Sequence, residues 1–354
     1  MAYIARLVAK TALDGLLLAA GLILKSQGKV RRTYTLPADD SVLLVLATDR
    51  VSIFDLVLGF LIPCKGEVLT AITVFWNLVF QSAGIKTHMV AYGSQIDPFL
   101  PVELRGNVNL QKRAIIVRKL KMFPIEAIVR GYLTGSGLES YLKTGKVCGI
   151  LLNIGLHDGS KLAYPIFTPT NKAAKGHDEH IDADKVSLKY PWMPHFALRL
   201  YGIMHDYALT LGLILADTKF EFGQDPKTGE IILADEFGTP DSSRIWLLSA
   251  WRIAVAKMKS PTGWDKQPLR EEGKKTLTPF NLMLNKLDPG SQKHTKWAGE
   301  VAFSEETIRE SIKRYTTVVE LLSGRDLATF QQEVMGIKNA NPIEESVIRG
   351  MLSP

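Results

Sequence analysis

The sequence predicts a chain of strands and helices arranged in two or three lobes, with room for a cleft between them. Its 354 residues exceed the length of one typical domain. The N-terminal part is predicted to be rich in strands, because residues 42–61 are a largely apolar run with strand character. Apolar residues recur at helical spacing over 196–215 and again from Ile308 to Leu322.

The composition excludes a disordered or collagen-like chain, since 46% of the residues are hydrophobic and 22% are charged. A formal net charge of +7 favours an anionic ligand such as a nucleotide or a sugar phosphate. The cations are spread along the chain without a dense basic block, so no nucleic-acid partner is expected. Cys64 and Cys148 are the only cysteines and lie far apart, which argues against a disulfide framework or a zinc site and favours a reducing, cytoplasmic location.

The apolar run 16–24 follows two cations, as the core of a signal peptide does. It is too short to span a bilayer and lacks a small-residue cleavage site before Lys25. We therefore expect a helix that leads into a buried strand, and no association with a membrane.

Residues 42–61 predict two apolar strands separated by a polar turn that carries Asp49, Arg50, Ser52 and Asp55. This turn is a candidate for substrate contact.

The following segments predict a buried helix over 69–83 and strand character over 114–129. Three glycines within 131–137 then break the strand before another helix. Residues 168–181 are polar and irregular, which indicates a surface loop over the cleft. A helix near the C-terminus is expected to begin after Ser304, with acidic residues in its first turn and a glycine after its last.

Residues 28–34 are the first candidate for phosphate binding. Gly28 permits close approach of the backbone, and Lys29, Arg31 and Arg32 supply positive charge. The segment lacks the Walker pattern, so a solvated turn with outward-pointing cations is an equal alternative on local sequence.

A second candidate is the strand 218–223, in which polar and aromatic residues alternate. The alternation places Lys219 and Glu221 on one face, while the aromatic side chains pack on the other. A turn rich in Asp, Pro, Thr and Gly and a second apolar run follow, which indicates a hairpin.

The register of this hairpin decides which carboxylate joins the pair. A turn centred near Lys227 places Lys219 opposite Asp235. A slip of one residue instead directs Glu236 to the same face, so the choice between Asp235 and Glu236 stays open. Two carboxylates and a lysine are suited to holding Mg²⁺ against the phosphates of ATP. An exposed salt-bridge ladder is the alternative, and the dense polar turn 238–244 favours the functional interpretation.

Two further clusters are candidates for anion binding. Arg130 precedes a glycine-rich turn that contains Ser136, where backbone N–H groups, a hydroxyl and a guanidinium are able to bind an anion. Lys266 and Arg270 are four residues apart and face one side of a helical turn. Taken singly, each cluster is more often a solvated surface.

Taken together and in order, the motifs resemble those of the SAICAR synthetase family, the phosphoribosylaminoimidazole-succinocarboxamide synthases. The resemblance covers about residues 25–325 and rests on the segments GKVRRTY (28–34), TDRVSIFD (48–55), IPCKGEVLT (62–70), PIEAIVRGYLTGSG (124–137), PIFTPTNKA (165–173), KFEFG (219–223), DEFGTPDSSR (235–244) and DKQPLR (265–270).

This resemblance implies an ATP-dependent ligase of purine biosynthesis. It would join the carboxylate of the ribonucleotide CAIR to the amine of L-aspartate, with ATP and Mg²⁺, to give SAICAR, ADP and phosphate through an acyl-phosphate intermediate. A small-molecule kinase with a related ATP site is the alternative, although a kinase does not need the TPDSSR and DKQPLR segments.

The resemblance also implies roles for individual residues. The residues implied at the ATP phosphates are Gly28, Lys29, Arg31, Lys219 and Glu221. Those implied at the metal are Asp235 and Glu221, and those implied in catalysis are Lys219, Asp235 and Arg244. Those implied at the substrates are Asp49, Arg50, Ser52, Arg130, Ser136, Asp241, Ser242, Arg244, Lys266 and Arg270.

The fold implied is α+β. A β-rich N-terminal nucleotide-binding lobe is expected over 1–115, an ATP-grasp-like lobe over 116–285, and a C-terminal helical segment over 286–354. The sequence departs from the usual family pattern at several positions, which include Arg32 in place of aspartate, Ile53 in place of alanine, Cys64 in place of glycine, His180 in place of asparagine and Phe237–Gly238 in place of a bulkier pair.

Overall fold

Two antiparallel sheets form the framework of the protein, and helices cover them. The structure is a computed structural model that describes residues 13–171 and 179–340. The mixture of sheets and helices confirms the predicted α+β class. In the described part of the chain, no helix is long and apolar enough to cross a membrane.

The first sheet has five strands in the order β1-β2-β3-β7-β6. Its inner face packs on the main core, and its outer face packs on a separate apolar cluster that includes Leu17, Leu44 and Ile116. Its strands are β1 (Ile23–Gln27), β2 (Arg31–Leu36), β3 (Asp39–Ala47), β6 (Met89–Tyr92) and β7 (Ala114–Arg118).

The second sheet is built around the long strand β14, which pairs with β9, β15, β16 and β8. Strands β12 and β13 pair with β9 on its other side. The strands are β8 (Lys121–Met122), β9 (Ile125–Tyr132), β12 (Lys161–Phe167), β13 (Thr170–Asn171), β14 (Leu213–Gln224), β15 (Ile231–Ala234) and β16 (Ser243–Leu247). Two small hairpins complete the strands, namely β4 (Arg50–Ile53) with β5 (Leu56–Leu61) and β10 (Lys146–Val147) with β11 (Ile150–Leu151).

Residues 13–19 form a short helical segment before β1. Helix α1 (Lys65–Ser82) is buried on nearly all sides, as expected for a helix with apolar residues around its circumference. The others are α2 (Val108–Arg113), α3 (Gly135–Thr144), α4 (Ala183–Lys189), α5 (Trp192–Thr210), α6 (Leu248–Ala256), α7 (Gln267–Lys275), α8 (Gln292–Ala298), α9 (Glu305–Ser323) and α10 (Leu327–Glu333). Short 3₁₀ helices occur at Gly93–Phe99, Val102–Leu104 and Leu284–Lys286.

The prediction of two strands over 42–61 is wrong in one respect. The segment forms three strands, because β4 and β5 make a hairpin of their own after β3 ends. Phe54 and Asp55 both have a positive φ and form its tight turn, so Arg50 and Ser52 lie within a strand. The polar residues of this stretch therefore occupy a strand as well as a turn.

The prediction for the N-terminal apolar run is half right. A helix over 13–19 does lead into β1, but β1 lies at the edge of the sheet and all five of its residues are exposed. The predicted loop 168–181 includes the short strand β13, and residues 172–178 lie outside the described part of the chain, as do residues 341–354. The helix expected after Ser304 is confirmed as α9, which is capped by Ser304 and ends at a left-handed Gly324.

Candidate active site

A cavity of 620 Å³ lies between the two sheets. One wall comes from β1, β2, β3 and β7 of the first sheet, and the other comes from β9, β14 and the end of β15. Residues of the β4–β5 hairpin and of the start of α7 close one end. Ten predicted site residues line it, namely Gly28, Lys29, Arg31, Ser52, Lys219, Glu221, Asp235, Asp241, Lys266 and Arg270.

One part of the cavity wall is apolar, and another is dense in charge. The apolar side chains are Leu43, Val45, Val117, Leu120 and Met122. A flat heterocyclic ring would bury its faces against such a wall, whereas charged groups of the same ligand would meet the polar part. The cavity is therefore suited to a ligand with one apolar end and one anionic end.

The Gly28 turn joins β1 to β2 at the polar part of the cavity. The Gly28 N–H donates to the carbonyl oxygen of Arg31 (2.8 Å), which closes the turn. Lys29 forms an ion pair with Asp55 of the β4–β5 turn. Arg31 reaches across the cleft, and its Nη2 lies 2.6 Å from Asp235 Oδ2.

Arg31 Nη2 also lies 3.3 Å from Glu236 Oε1, so one guanidinium forms ion pairs with two carboxylates. Burial alone would lower the pKa of Arg31, but the charges of Asp235 and Glu236 outweigh burial and raise it. The predicted phosphate-binding cations thus point into the cavity and have carboxylate partners there.

Strand β14 presents Asp217, Lys219 and Glu221 on one face, as the alternation predicts. Lys219 Nζ lies 2.6 Å from Glu126 Oε1 on β9 and 4.0 Å from Glu221 Oε1. Burial opposes the charge of Lys219, but Glu126 and Glu221 outweigh it and raise its pKa. The lysine is therefore held as an ammonium at the wall of the cavity.

The hairpin register differs by one residue from the first of the two alternatives. Glu221 pairs with Ala234, so Lys219 is not opposite Asp235. Strand β15 ends at Ala234, and Asp235 adopts a left-handed backbone with φ of +63°. This turn of the backbone brings both Asp235 and Glu236 to the cavity, so both carboxylates meet Arg31.

A second charged cluster surrounds Asp217, further along the same face of β14. Arg130 Nη1 lies 2.9 Å from Asp217 Oδ2, and Arg244 forms an ion pair with the same oxygen. Arg130 also donates to the hydroxyl of Ser136 (3.1 Å). Two guanidiniums thus share one carboxylate, which leaves the cluster with an excess positive charge beside the N-terminus of α3.

The glycine-rich turn before α3 is explained by these arginines. Gly135 has a φ of +54°, and a Cβ there would lie 2.2 Å from Arg244 Nη2. A Cβ on Gly137 would lie 3.1 Å from Arg130 Cδ. The positive φ of Gly135 and the close approach of the backbone to both guanidiniums favour glycine at these positions.

Asp241 is the centre of a buried network at the other end of the cavity. Its Oδ2 lies 2.7 Å from Lys65 Nζ and 3.2 Å from Lys266 Nζ. Burial lowers the pKa of Lys266 to about 8, although Asp241 opposes this shift. Arg270 is held by Asp265 at 2.9 Å.

Six predicted site residues do not line this cavity within the described ranges, namely Asp49, Arg50, Arg130, Ser136, Ser242 and Arg244. Asp49 accepts the N–H of Gly66 in the first turn of α1 (2.9 Å) and pairs with Arg113 (2.6 Å). Its carboxylate thereby joins α1 to α2.

Arg50 and Ser242 stabilise the turns next to the cavity. Arg50 Nη1 donates to the carbonyl oxygen of Gly28 (3.3 Å) and so helps to fix the Gly28 turn. The hydroxyl of Ser242 accepts the N–H of Thr239 (3.1 Å) within the 238–244 turn. Both contacts hold a loop that carries cavity residues.

The structure explains two departures from the family pattern, Arg32 and Gly238. Arg32 forms an ion pair with Asp14, which also accepts a hydrogen bond from Tyr34. Gly238 has a φ of +68°, and a Cβ there would lie 2.2 Å from Nε1 of the buried Trp76. The indole therefore occupies the space that a larger residue would need.

Cys64 is another departure from the family pattern. It lies at the start of α1 and has a φ of +64°. This is a backbone conformation that favours glycine, and it costs a residue with a Cβ about 1–2 kcal/mol.

Sequence reasoning missed four residues that contact the predicted ones: Glu126, Asp217, Lys65 and Tyr315. Strand alternation could have identified two of them. Asp217 lies on the same face of β14 as Lys219 and Glu221, and Glu126 lies on the same face of β9 as Arg130.

The residue types suit a divalent cation bound together with phosphate. Mg²⁺ is usually held by one or two carboxylates, with waters and phosphate oxygens completing its shell. Glu126, Glu221, Asp235 and Glu236 all line the cavity, where Lys219 pairs with Glu126 and Arg31 pairs with Asp235 and Glu236. In the described ranges, no group of three or more His, Cys, Asp or Glu side chains is arranged to hold a metal ion.

Comparison with known proteins agrees with this geometry. The family model described as SAICAR synthetase matches residues 24–287. The phosphoribosylaminoimidazole-succinocarboxamide synthase of Schizosaccharomyces pombe is 39% identical over 303 residues, which cover 84% of this chain and 93% of that protein. The enzyme of the same name from Mycobacterium bovis (strain BCG / Pasteur 1173P2) is 45% identical over 251 residues, which cover 69% of this chain and 78% of that protein.

A solved structure is also similar. The SAICAR synthase of Saccharomyces cerevisiae, in complex with SAICAR, superimposes with a TM-score of 0.70 at 35% identity and covers 86% of this chain and 96% of that one. The segment 24–287 that matches the family model contains the Gly28 turn, strand β14 and the polar turn 238–244. The chain therefore belongs to the SAICAR synthetase family.

Proposed function

We propose that this cavity and the adjoining arginine cluster join the carboxylate of CAIR to the amine of L-aspartate, with cleavage of ATP to ADP and phosphate. Membership of the family makes the chain an ATP-dependent ligase of purine biosynthesis. The observation that carries the assignment of the site is the face of β14, where Lys219 and Glu221 adjoin the cavity and Asp217 binds two arginines. The family match does not favour a small-molecule kinase.

ATP is proposed to bind with its base against the apolar wall and its phosphates at the Gly28 turn. Lys29, Arg31 and Lys219 would then exchange their carboxylate partners for phosphate oxygens. Charge-assisted hydrogen bonds from a guanidinium to phosphate are short and strong, so the exchange keeps each cation paired. The Gly28 backbone lets the phosphates approach the turn closely.

Mg²⁺ is proposed to be held by Glu221 and Asp235, with Glu236 as the alternative to Asp235. When bound, the metal neutralises charge on the phosphate oxygens. Lys219 lies 4.0 Å from Glu221 and would add a second positive charge on the same side.

CAIR is proposed to lie between the cavity and the arginine cluster. Arg130, Ser136 and Arg244 would bind its phosphate, while Lys266 and Arg270 would hold its carboxylate. Successive residues on one face of a strand are about 7 Å apart, so Asp217 and Lys219 set the substrate cluster one such step from the ATP phosphates. This spacing supports binding of CAIR and ATP side by side.

The remaining predicted residues are proposed to shape the substrate side. Ser52 lines the cavity, and its carbonyl oxygen accepts a hydrogen bond from Lys266 (3.1 Å). Asp49, Arg50 and Ser242 would act through the turns that they stabilise. The lobes 1–115, 116–285 and 286–354 are proposed as the structural units of the chain.

A reducing, cytoplasmic location is also proposed. The free, buried thiols of both cysteines support it.

The proposed chemistry needs no nucleophile from the protein. A carboxylate oxygen of CAIR attacks the γ-phosphorus, the bond to the β–γ bridging oxygen breaks, and ADP leaves. The amine of L-aspartate then attacks the acyl carbon, loses a proton and expels phosphate. Lys219, Arg31 and Arg244 supply positioning and charge stabilisation, which are the main contributions to phosphoryl transfer.

Release of ADP tests the proposal. We expect purified protein to release ADP at a steady rate only when CAIR and L-aspartate are both present with MgATP. An equal steady rate with CAIR alone would contradict the ligase site, as would the absence of ADP release under every condition.

A further inference from the structure

The C-terminal helix α9 reaches the proposed substrate site through one hydroxyl group. Tyr315 of α9 donates a hydrogen bond from its hydroxyl to Asp241 Oδ1 at 2.5 Å. The other oxygen, Oδ2, accepts from Lys65 at 2.7 Å and lies 3.2 Å from Lys266 Nζ. Tyr315, Lys65 and Asp241 are nearly fully buried. The hydroxyl therefore binds one carboxylate oxygen and helps to fix the orientation in which the other oxygen faces both lysines.

The two lysines play different parts in this network. Lys65 is fully buried, so its ammonium is committed to Asp241. Lys266 lines the cavity and also donates to the carbonyl oxygen of Ser52 at 3.1 Å. An ammonium has three hydrogens; the carbonyl oxygen of Ser52 accepts one of them, and Asp241 forms an ion pair with the same group. One donor of Lys266 is thus left for a ligand in the cavity.

Helix α9 lies outside the segment 24–287 that matches the family model. It is fixed at both ends, by Ser304 at its N-terminus and by the left-handed Gly324 after its last turn. Arg314, next to Tyr315, donates to the carbonyl oxygen of Gly263, two residues before the 265–270 segment. Two adjacent residues of this helix thus contact the segments that carry the proposed substrate ligands.

We propose that Tyr315 is a positioning residue for the ligation: its hydroxyl fixes the orientation of the Asp241 carboxylate and so holds the ammonium of Lys266 at the cavity wall, where it binds the carboxylate of the nucleotide substrate. This inference rests on the proposed function. It adds a residue from beyond the matched segment to the site.

The change Tyr315→Phe keeps the buried ring and removes only the hydroxyl. The carboxylate of Asp241 then loses the hydrogen bond that fixes its orientation, and Lys266 is no longer held in one position. Loss of a hydrogen bond to a charged group weakens a binding equilibrium about tenfold or more. We therefore expect the KM for CAIR to rise about tenfold. The KM for ATP should stay within about twofold, because Lys29, Arg31 and Lys219 are held by other carboxylates, namely Asp55, Asp235 and Glu126.

The matched control is Tyr34→Phe. Tyr34 is equally buried, and its hydroxyl also donates to a carboxylate, that of Asp14, away from Asp241. Its loss should lower the thermal midpoint without a selective change in the KM for CAIR. A merely structural role of Tyr315 would likewise lower stability or the active fraction and leave both KM values unchanged.

A second variant, Lys266→Met, tests the same contact without a change to α9. It should raise the KM for CAIR, and the double variant with Tyr315→Phe should raise it little further, because both changes remove one interaction. Fully additive effects, or unchanged KM values for CAIR in Tyr315→Phe or in Lys266→Met, would overturn the proposal. Wild-type protein that forms no SAICAR would instead contradict the proposed function itself, so the two failures are distinguishable.

Discussion

Arg31 and Asp235 form an ion pair of 2.6 Å that joins the turn after β1 to the residue after β15 across the cleft. The two residues are 204 positions apart in sequence. Their contact places a proposed phosphate-binding cation and a proposed metal ligand at one point of the cavity. It also means that a ligand with both phosphate and metal would engage both sheets.

Replacement of Arg31 tests the phosphate side of this pair. Arg31→Ala should lower kcat/KM for ATP about 100-fold, because it removes a charge-assisted contact to phosphate and leaves Asp235 and Glu236 without their shared cation. Steady-state kinetics at varied ATP measure the effect. Arg105→Ala, in a residue that donates to the carbonyl oxygen of Leu100, is the control and should leave the KM for ATP unchanged. Equal behaviour of the two variants would remove Arg31 from the ATP site.

Replacement of Asp235 tests the metal side. Asp235→Asn should lower turnover at least 100-fold while leaving the thermal midpoint near that of the wild type, because asparagine tolerates the left-handed backbone at φ of +63°. A Mg²⁺ titration should show that the variant needs more metal. Glu236→Gln provides the comparison and should have the smaller effect. The opposite order would make Glu236 the metal ligand.

Activity at high pH tests the charge on Lys266. Its pKa of about 8 lies below the ordinary value, because burial and the neighbouring Lys65 and Arg270 outweigh Asp241 and Glu236. The ammonium is therefore present below pH 8 and lost above it, so kcat/KM for CAIR should fall as pH rises through 8, with ATP and aspartate saturating. Lys266→Arg should move this fall to higher pH. A flat profile up to pH 9.5 in the wild type would contradict the assignment.

The departure at Gly238 predicts a specific effect on stability. Gly238→Ala should cost about 2–4 kcal/mol in the free energy of unfolding, from the left-handed backbone and from contact with Trp76. Gly202→Ala is the control, because a Cβ in that helix would meet nothing within 4 Å. Trp76→Phe should be less than additive with Gly238→Ala. Denaturant unfolding measures all three variants, and a Gly238→Ala protein as stable as the wild type would refute the packing argument.

Local periodicity was enough to predict the face of β14. Lys219 and Glu221 lie together because alternate residues of a strand share a face, and that rule needs no tertiary information. The partner from β15 was harder to predict. A hairpin register depends on the turn, and the left-handed backbone at Asp235 ends the alternation at the proposed metal ligand.

Contacts between distant elements had no local signal. Arg130 and Arg244 meet because β9 and β16 both pair with β14 at Asp217, a fact of sheet topology. Tyr315 has the helical spacing of an ordinary core residue, and only the packing of α9 against α1 brings its hydroxyl to Asp241. The family resemblance supplied candidate residues, and the structure divides them between the cavity, the arginine cluster and the supporting turns.

The most direct test of the account is the fate of the carboxylate oxygen of CAIR. With CAIR labelled by ¹⁸O in its carboxylate and incubated with MgATP, L-aspartate and the protein, attack on the γ-phosphorus predicts one ¹⁸O atom in each inorganic phosphate released. Mass spectrometry of the phosphate measures the label. Phosphate free of ¹⁸O, formed in step with SAICAR, would contradict activation of the carboxylate by ATP at this site.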